Sequence, residues 1–285
     1  TVTILQGDVL AVLATIPDES IDCCVTSPPY WGLRDYGVEG QIGLEPTLGE
    51  HLAVMIAVFR EIRRVLKKDG TLWLNYGDCY ASSPNGRSAA DTKAVGNDDR
   101  TFRDKPMSTV GGVLKPKDLC MIPNRLAIAL QEDGWWVRSE IIWHKPNPMP
   151  ESIRDRPTMS HEKIFLLTKA DRYFYDAAAI REPCESGESD LRKMRESLPR
   201  IGGKHKELDD KYSKASAATN IGRKRSVGSP DGRNARNVWT IGTQPFPGAH
   251  FATFPPELVE RCIKAGCRPG GRVLDPFGGA GTTGL

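Results

Sequence analysis

A short apolar run that ends in two prolines constrains the fold of this chain more than any other feature. The run, Ile21–Val25, has the length and composition of a strand that is buried in a sheet. Pro28 and Pro29 follow after two small hydroxyl residues, and a proline cannot donate a hydrogen bond to a strand ladder. The sequence therefore predicts a buried strand that ends abruptly in a rigid turn at the edge of a sheet.

The rigid turn carries groups that suit recognition of a nucleobase. Its prolines free neighbouring carbonyl groups from the ladder and fix their direction, so these carbonyls can accept a hydrogen bond from an exocyclic amino group. Tyr30 adds a flat ring on which an unstacked base can lie. An ordinary strand end followed by a proline turn has the same composition, so this motif alone leaves both interpretations open.

A second motif stands at the other end of the chain. A short apolar strand is predicted before Asp275, and a glycine-rich turn follows it. Glycines allow the backbone to approach a ligand closely, and the N–H groups at the start of a following helix can bind polar groups of that ligand. The turn reads Asp275-Pro276-Phe277-Gly278-Gly279-Ala280-Gly281-Thr282-Thr283.

Together the two motifs resemble those of the amino-directed DNA methyltransferases. Thr26–Tyr30 is similar to the catalytic motif of that family, and Asp275–Thr283 is similar to its S-adenosylmethionine loop. The catalytic motif comes first, the cofactor loop comes last and a long insert separates them, which resembles the β-type motif order. The resemblance covers most of residues 3–176 and 237–285. It implies an α/β fold, a doubly wound and mostly parallel Rossmann-like sheet, with a variable basic insert.

The resemblance implies two sets of site residues. The catalytic set is Ser27, Pro28, Pro29 and Tyr30. The cofactor set, which would bind S-adenosylmethionine, is Asp8, Phe254, Asp275, Pro276, Phe277, Gly278, Gly279, Gly281 and Thr282. Two members have an alternative role, since Asp8 could cap the helix that follows it and Phe254 could serve only in packing. For Asp8 both roles can hold together.

The insert between the motif blocks is strongly basic. From Arg192 to Arg236 there are thirteen Lys and Arg residues against five Asp and Glu residues, although the whole chain has a formal net charge of only +3. Such residues bind DNA phosphates, and some can read base edges in the major groove. A disordered charged linker is the alternative. The DNA-binding candidates, for a double-stranded DNA partner, are Arg34, Arg223, Lys224, Arg225, Arg233 and Arg236.

These observations divide the chain into three segments. Residues 1–176 form the catalytic part of the methyltransferase domain, residues 177–236 form the target-recognition insert, and residues 237–285 form the cofactor-binding part. In a doubly wound sheet a further helix and strand follow the cofactor strand, with an acidic residue for the ribose. We therefore expect about 30 or more further residues, or a second polypeptide such as a dimer partner, to complete the sheet.

Hydrophobic periodicity gives further local predictions. A strand is expected over Val2–Leu5, and a helix over residues 52–68 that Gly70 ends, with basic residues through Lys68 on its outer face. A strand over residues 71–75 should follow it. After the strand predicted over residues 160–169, Tyr173–Tyr175 should continue it. Further helices are predicted over residues 9–14, 119–130 and 258–263, and a further strand over residues 135–143.

Composition excludes several classes of protein. Neither an apolar run of transmembrane length nor a signal-peptide pattern occurs in the sequence, which predicts a cytoplasmic protein. The family resemblance implies that a bacterium, an archaeon or a phage encodes it. The seven cysteines lack paired C-x-x-C spacing, and His250 has no ligand partner at suitable spacing, so no metal site is expected.

Ser27 determines the predicted acceptor. A serine in place of an aspartate at this position resembles the cytosine-N4 branch of the family, so methyl transfer to the N4 nitrogen of a flipped-out cytosine is predicted. Adenine N6 is the first alternative, and a non-catalytic DNA-binding protein that keeps the cofactor loop is a remote one. Transfer to cytosine C5 would need a Pro-Cys nucleophile, and Pro183-Cys184 lies in the variable region. A restriction endonuclease counterpart is compatible with this interpretation.

Overall fold

A computed structural model describes four parts of the 285-residue chain, which are residues 1–83, 106–183, 232–244 and 254–284. The chain divides into two compact units. The first unit contains Thr1–Asp176 and Arg236–Leu285, and the second contains Ala177–Ala235. All the helices and strands given below belong to the first unit.

The first unit alternates helices with strands. The helices are α1 (Val9–Thr15), α2 (Leu48–Val65), α3 (Ile122–Glu132) and α4 (Pro256–Gly266). The strands are β1 (Ile21–Thr26), β2 (Leu66–Tyr76), β3 (Trp136–His144), β4 (His161–Thr168), β5 (Val238–Thr240) and β6 (Val273–Leu274). A 3₁₀ turn covers Thr282–Gly284. Within the described ranges, no helix combines the length and the apolar character that crossing a membrane requires.

The strands form one sheet in the order β5-β3-β4-β2-β1-β6. Strand β1 lies parallel to both β2 and β6, and β3 lies parallel to β5. Strand β4 runs antiparallel to its two neighbours, β2 and β3. The expected α/β fold with a mostly parallel sheet is therefore confirmed. Because β4 runs in the opposite direction, its beginning lies at the edge where β1, β2 and β3 end.

Alternating side chains of the sheet pack against helices on its two faces. Leu72 and Leu74 of β2 belong to a buried cluster that includes the apolar faces of α2 and α3. On the other face, Thr71 donates a hydrogen bond to the carbonyl oxygen of Gly266 at the end of α4, at 2.9 Å. This alternation follows from the two-residue period of a strand. Helices on both faces confirm the doubly wound arrangement.

Helix α2 begins at a cap that its sequence encodes, but it ends earlier than predicted. A capping box between Thr47 and Glu50 starts the helix. The helix ends at Val65 and β2 begins at the next residue, so Lys67 and Lys68 lie in the strand and not on the helix. Gly70 also lies within β2. A Cβ atom there would be 3.1 Å from the carbonyl oxygen of Asp22, so this glycine permits close approach of β1 and β2 and does not end a helix.

Two predicted strands are absent from the described part of the chain. Val2–Leu5 makes no ladder there, and Val2, Ile4 and Leu5 are exposed. Tyr173–Tyr175 is also irregular, although the backbone N–H of Phe174 donates to the carbonyl oxygen of Asp69 at 2.9 Å. A strand is held by a ladder of hydrogen bonds to a neighbouring strand. Apolar and aromatic composition cannot supply that neighbour, which explains both errors.

The contact between α4 and the sheet gives a prediction about stability. A Cβ atom on Gly266 would lie 2.3 Å from Trp73 Nε1 and 2.4 Å from Thr71 Oγ1. Gly266→Ala should therefore lower the free energy of unfolding by about 1–3 kcal/mol through overpacking. Urea denaturation followed by circular dichroism measures this change. Gly49→Ala in α2 is the control, because its nearest neighbour would be 3.9 Å away, and equal stability of the two variants would contradict the packing described.

Candidate active site

The predicted catalytic motif begins where β1 ends. Strand β1 lies between β2 and β6, so Ser27 enters the turn beside the carboxyl ends of both of these strands. Pro28 is buried, whereas Ser27, Pro29 and Tyr30 are half-buried. The buried residue after them, Trp31, donates from Nε1 to the carbonyl oxygen of Glu45 at 2.9 Å, which fixes the exit of the turn. The turn is therefore anchored at both ends and partly open between them.

The predicted cofactor loop lies directly beside this turn. Asp275 follows β6, and Thr26 at the end of β1 donates from Oγ1 to Asp275 Oδ1 at 2.8 Å. The backbone N–H of Phe277 donates to the same oxygen at 3.1 Å, and Thr283 Oγ1 donates to Oδ2 at 2.7 Å. The carboxylate thus ties the catalytic strand to both ends of the glycine-rich turn. The two motifs, far apart in the sequence, are brought together.

The charge of Asp275 is held in a low-dielectric position. Burial raises the pKa of the Asp275 carboxyl above its ordinary value of 3.8, and the hydrogen bonds from Thr283 and Thr26 only partly oppose this effect. Because the chain's own donors occupy both of its oxygens, the side chain shapes the loop. Whether it also contacts a cofactor stays a prediction.

The glycine-rich turn has the backbone freedom that a ligand loop needs. Gly279 and Gly281 adopt left-handed conformations, with φ of 49° and 78°, which favour glycine. A Cβ atom on Gly281 would meet no heavy atom within 4 Å, so the backbone is open on that side. A small-residue turn with an open backbone at the carboxyl edge of the sheet fits a bound nucleoside cofactor.

The other two cofactor candidates precede helices α1 and α4 of the first unit. Asp8 caps α1, since its Oδ1 accepts from the backbone N–H groups of Leu10 and Ala11 at 3.1 and 3.0 Å. The capping alternative for Asp8 is therefore confirmed, and its contact with a cofactor stays a prediction. Phe254 is half-buried just before α4, and both of its alternative roles stay open.

The DNA-binding candidates are only partly described. Arg233, in the second unit, pairs with Glu182, with Nε 3.3 Å from Oε2. Arg236 is exposed in the first unit, and Arg34 is half-buried in the loop after the catalytic turn. Contact of these residues with DNA stays a prediction. Arg223, Lys224 and Arg225 lie outside the described residues.

Tyr30 is held firmly on one side. Its ring stacks on the ring of Tyr76, with centroids 4.7 Å apart and an interplanar angle of 25°. A Cβ atom on Gly77 would come within 2.5 Å of the Tyr30 ring, so the backbone that follows β2 also contacts this side chain closely. The orientation of the ring is therefore set by the end of β2.

Sequence reasoning missed three polar residues around the Tyr30 hydroxyl. Glu162 Oε2 lies 2.9 Å from Tyr30 Oη, and Asn75 Nδ2 donates to the same carboxylate oxygen at 3.1 Å. Lys145 forms an ion pair with Glu162 Oε1. Glu162 stands second in β4, and only the antiparallel direction of β4 brings it to this edge. The only signal for Glu162 in the sequence was that a charged residue stands at the start of an apolar strand.

A buried polar chain lies beneath the turn. The fully buried His51 places Nδ1 2.8 Å from Glu45 Oε2 and Nε2 2.8 Å from Tyr76 Oη. The Tyr76 hydroxyl also accepts the backbone N–H of Trp31 at 3.1 Å and lies 3.2 Å from the carbonyl oxygen of Pro29. Burial opposes the charge of Glu45, but its contacts with His51 and backbone N–H groups lower its pKa below the usual 4.5. This chain supports the Pro-Pro turn.

In the described parts of the chain, no group of three or more His, Cys, Asp or Glu residues is arranged to hold a metal ion. The polar groups at the sheet edge are instead bonded to one another and to backbone groups. These groups can supply hydrogen bonding, orientation and proton transfer.

Comparison with known proteins extends these observations. A family model described as DNA methylase matches residues 21–285. The Type II methyltransferase M.XycI of Xanthomonas campestris pv. cyanopsidis is 48% identical over 283 residues, which cover 99% of this chain and 78% of that protein.

Two solved structures share the fold. PvuII DNA methyltransferase, described as cytosine-N4-specific, has a TM-score of 0.58 and 18% identity, covering 98% of this chain and 74% of that one. The TTHA0409 protein of Thermus thermophilus, solved as a complex with S-adenosyl-L-methionine, has a TM-score of 0.50 and 23% identity, covering 97% and 80%. At these identities the two structures support the fold alone.

The buried chain beneath the turn predicts a loss of stability. Tyr76→Phe removes the hydroxyl that contacts His51, Trp31 and Pro29, so buried polar groups lose a partner. The free energy of unfolding should fall by about 1–3 kcal/mol, measured by urea denaturation. Tyr36→Phe is the control, since Tyr36 is 49% exposed and its change should stay within about 0.5 kcal/mol. Equal effects of the two substitutions would show that the Tyr76 hydroxyl does not support the turn.

Proposed function

This chain belongs to the DNA methylase family, and from that premise we propose that it methylates the exocyclic N4 nitrogen of cytosine in DNA. It is a DNA methyltransferase. The cofactor proposed is S-adenosylmethionine, and the target base is proposed to be flipped out of the duplex, because an enzyme cannot reach the amine inside the stack. Adenine N6 is the alternative acceptor, since it is also an exocyclic amine.

One observation supports this function above the others, the hydrogen bond from Thr26 to Asp275. It joins the strand that ends just before Ser27 to the turn proposed to hold the cofactor. Transfer of a group between two molecules is fast when both are held in contact and correctly oriented. The contact between these two strand ends supplies a fixed distance between an acceptor site and a donor site.

The residues present fit the proposed cofactor. The open backbone at Gly281 and the left-handed conformations of Gly279 and Gly281 leave room for close approach. When bound, S-adenosylmethionine supplies a methyl group on a positively charged sulfur. The residues proposed to hold it are Asp275, Pro276, Phe277, Gly278, Gly279, Gly281 and Thr282, with Asp8 and Phe254 at its periphery.

Ser27 and Pro28 are proposed to bind the target amine. A hydroxyl oxygen and a carbonyl oxygen can each accept one N–H of the amine, which directs the nitrogen lone pair towards the methyl group. Both oxygens also stabilise the positive charge that develops on nitrogen. The amine is itself the nucleophile, so the chain needs no covalent intermediate. Tyr30, held by Tyr76, offers its ring to the base.

The choice of cytosine rests on Ser27, because a neutral serine in place of an aspartate at this position resembles the motif of the cytosine-N4 branch. The basic insert at residues 177–236 is proposed to bind the double-stranded DNA around the target. We further propose that the enzyme acts in the cytoplasm. We also propose that it has a restriction endonuclease counterpart, because its relatives are named Type II methyltransferases.

The acceptor can be identified directly. DNA amplified by polymerase chain reaction carries no modified bases, and treatment with the full chain and S-adenosylmethionine should yield N4-methylcytosine. Mass spectrometry of the hydrolysed nucleosides measures the product. If N6-methyladenine is the sole methylated nucleoside detected, the choice of cytosine is overturned. If the treated DNA contains no methylated nucleoside, the proposed function is overturned.

Two substitutions should separate the roles of the two motifs. Tyr30→Ala should slow methyl transfer through lost stacking of about 1–3 kcal/mol and leave cofactor affinity unchanged. Asp275→Asn should weaken cofactor binding about tenfold, because the amide NH2 group that replaces one oxygen cannot accept a hydrogen bond. Either Thr26 and the Phe277 backbone, which donate to Oδ1, or Thr283, which donates to Oδ2, then loses its acceptor. Isothermal titration with S-adenosylhomocysteine measures affinity, and single-turnover kinetics measure transfer. Equal effects of both variants on affinity would contradict this division.

A further inference from the structure

Three side chains form a continuous line of polar contacts that leads away from the proposed amine site. Ser27 Oγ lies 3.3 Å from Tyr30 Oη, and Tyr30 Oη lies 2.9 Å from Glu162 Oε2. The line begins at the acceptor atom of the catalytic motif and ends on a carboxylate. It connects the end of β1 to the beginning of β4.

The direction of each hydrogen bond follows from the groups involved. An ionised carboxylate can only accept, so the single hydrogen of the Tyr30 hydroxyl is donated to Glu162. The Tyr30 oxygen therefore accepts the hydrogen of Ser27. With its own hydrogen directed to Tyr30, the Ser27 oxygen keeps its lone pairs for an N–H of the target amine. All donors in this line point towards Glu162.

The surroundings of Glu162 suit a negative charge that can exchange protons with solvent. Asn75 donates to Oε2 at 3.1 Å, and Lys145 pairs with Oε1. The Lys145 ammonium also lies 4.4 Å from the ring centre of Trp143, which restricts its position. Among the groups that face Glu162, Lys145 and Tyr30 are titratable, whereas Ser27 and Asn75 stay neutral. The Glu162 side chain is 17% exposed, so water can reach it.

We propose that Glu162 is the terminal acceptor of the proton that the amine loses on methylation, reached through Ser27 and Tyr30. The inference rests on the proposed function, whether the amine is cytosine N4 or adenine N6. Glu162 acts through two other residues and does not touch the base, so it is a positioning residue for the reaction. Its charge compensates for the neutral hydroxyl at position 27.

The step balances in atoms and electrons. The amine nitrogen forms a bond to the methyl carbon with its lone pair, and the sulfur–methyl bond breaks with its electron pair left on sulfur. The nitrogen, now positive, gives one proton to Ser27 Oγ as the hydrogen of Ser27 passes to Tyr30 and that of Tyr30 passes to Glu162. Each hydroxyl ends with one hydrogen as before. The carboxylate gains one proton, which it then loses to water.

Other groups at this edge are poor end points for the proton. Burial, and to a smaller extent the nearby charge of Glu162, raises the pKa of the Tyr30 hydroxyl well above its usual value. Tyr30 therefore stays protonated and only passes a proton on. Asp275 already accepts from Thr26, Thr283 and the Phe277 backbone. Asp78 accepts from the backbone N–H groups of Cys79 and Ile122 and so caps α3.

The test compares full-length variants in single-turnover methylation of amplified, unmodified genomic DNA. Glu162→Gln keeps the size and the hydrogen-bonding oxygen but cannot take the proton, and Tyr30→Phe breaks the line in its middle while it keeps the ring. Glu140→Gln is the matched control. Glu140 in β3 pairs with Lys163 in β4, the strand of Glu162, at 2.6 Å, but it lies outside the line. Binding of S-adenosylhomocysteine is measured for each variant.

The relay predicts that the wild-type rate declines at acidic pH, and Glu162→Gln should remove this decline and slow methyl transfer about 100-fold. Tyr30→Phe should have a similar effect, and the double variant should be no slower than the slower single variant, because both substitutions break one unit. Cofactor binding should stay at the wild-type level in all variants, and Glu140→Gln should match the wild type in rate.

Three results would overturn the inference. They are a wild-type rate and pH profile in Glu162→Gln, losses that multiply in the double variant, and a loss of cofactor binding in Glu162→Gln as large as its loss of rate. The proposed function is tested separately by the wild type and the Glu140→Gln control, which must methylate the DNA. The ratio of variant to wild-type rates tests the relay alone.

Discussion

The parallel pairing of β1 with β6 is the constraint on which the site depends. It brings Cys23 opposite Val273 and Cys24 opposite Leu274, and it places Thr26 within 2.8 Å of Asp275. The two proposed halves of the site meet because these strands end side by side at the carboxyl edge of the sheet. Ligands of open α/β sheets bind at this edge. The chemistry proposed here needs no other long-range contact to bring donor and acceptor together.

Two further features make this edge rigid. The half-buried Glu45 and the buried His51 and Tyr76 hold the Pro-Pro turn from beneath. The antiparallel β4 brings Glu162 to the Tyr30 hydroxyl. A fully satisfied buried network holds its members in one geometry. Ser27 therefore has a fixed position and a fixed direction for its hydrogen. The support explains how a neutral hydroxyl can serve as a directed acceptor.

The sequence was sufficient for those parts that follow from local pattern. The strand over residues 21–25, which the structure extends to Thr26, the apolar face of α2 and the glycine-rich turn were all predicted, because periodicity and turn residues act locally. The role of Gly70 was not, since it depends on the distance to Asp22 in the neighbouring strand. Glu162 was missed for a related reason. Its place at the site follows from the direction of β4, and strand direction is a property of the whole sheet.

A crystal structure of the full chain with S-adenosylhomocysteine and a short unmodified DNA duplex tests the central claim most directly. The account predicts that the cofactor product lies along the turn at residues 275–282 and that its sulfur faces a flipped-out base whose amine contacts Ser27 Oγ. Cofactor bound away from the carboxyl ends of β1 and β6, or a flipped base that does not contact Ser27, would contradict it.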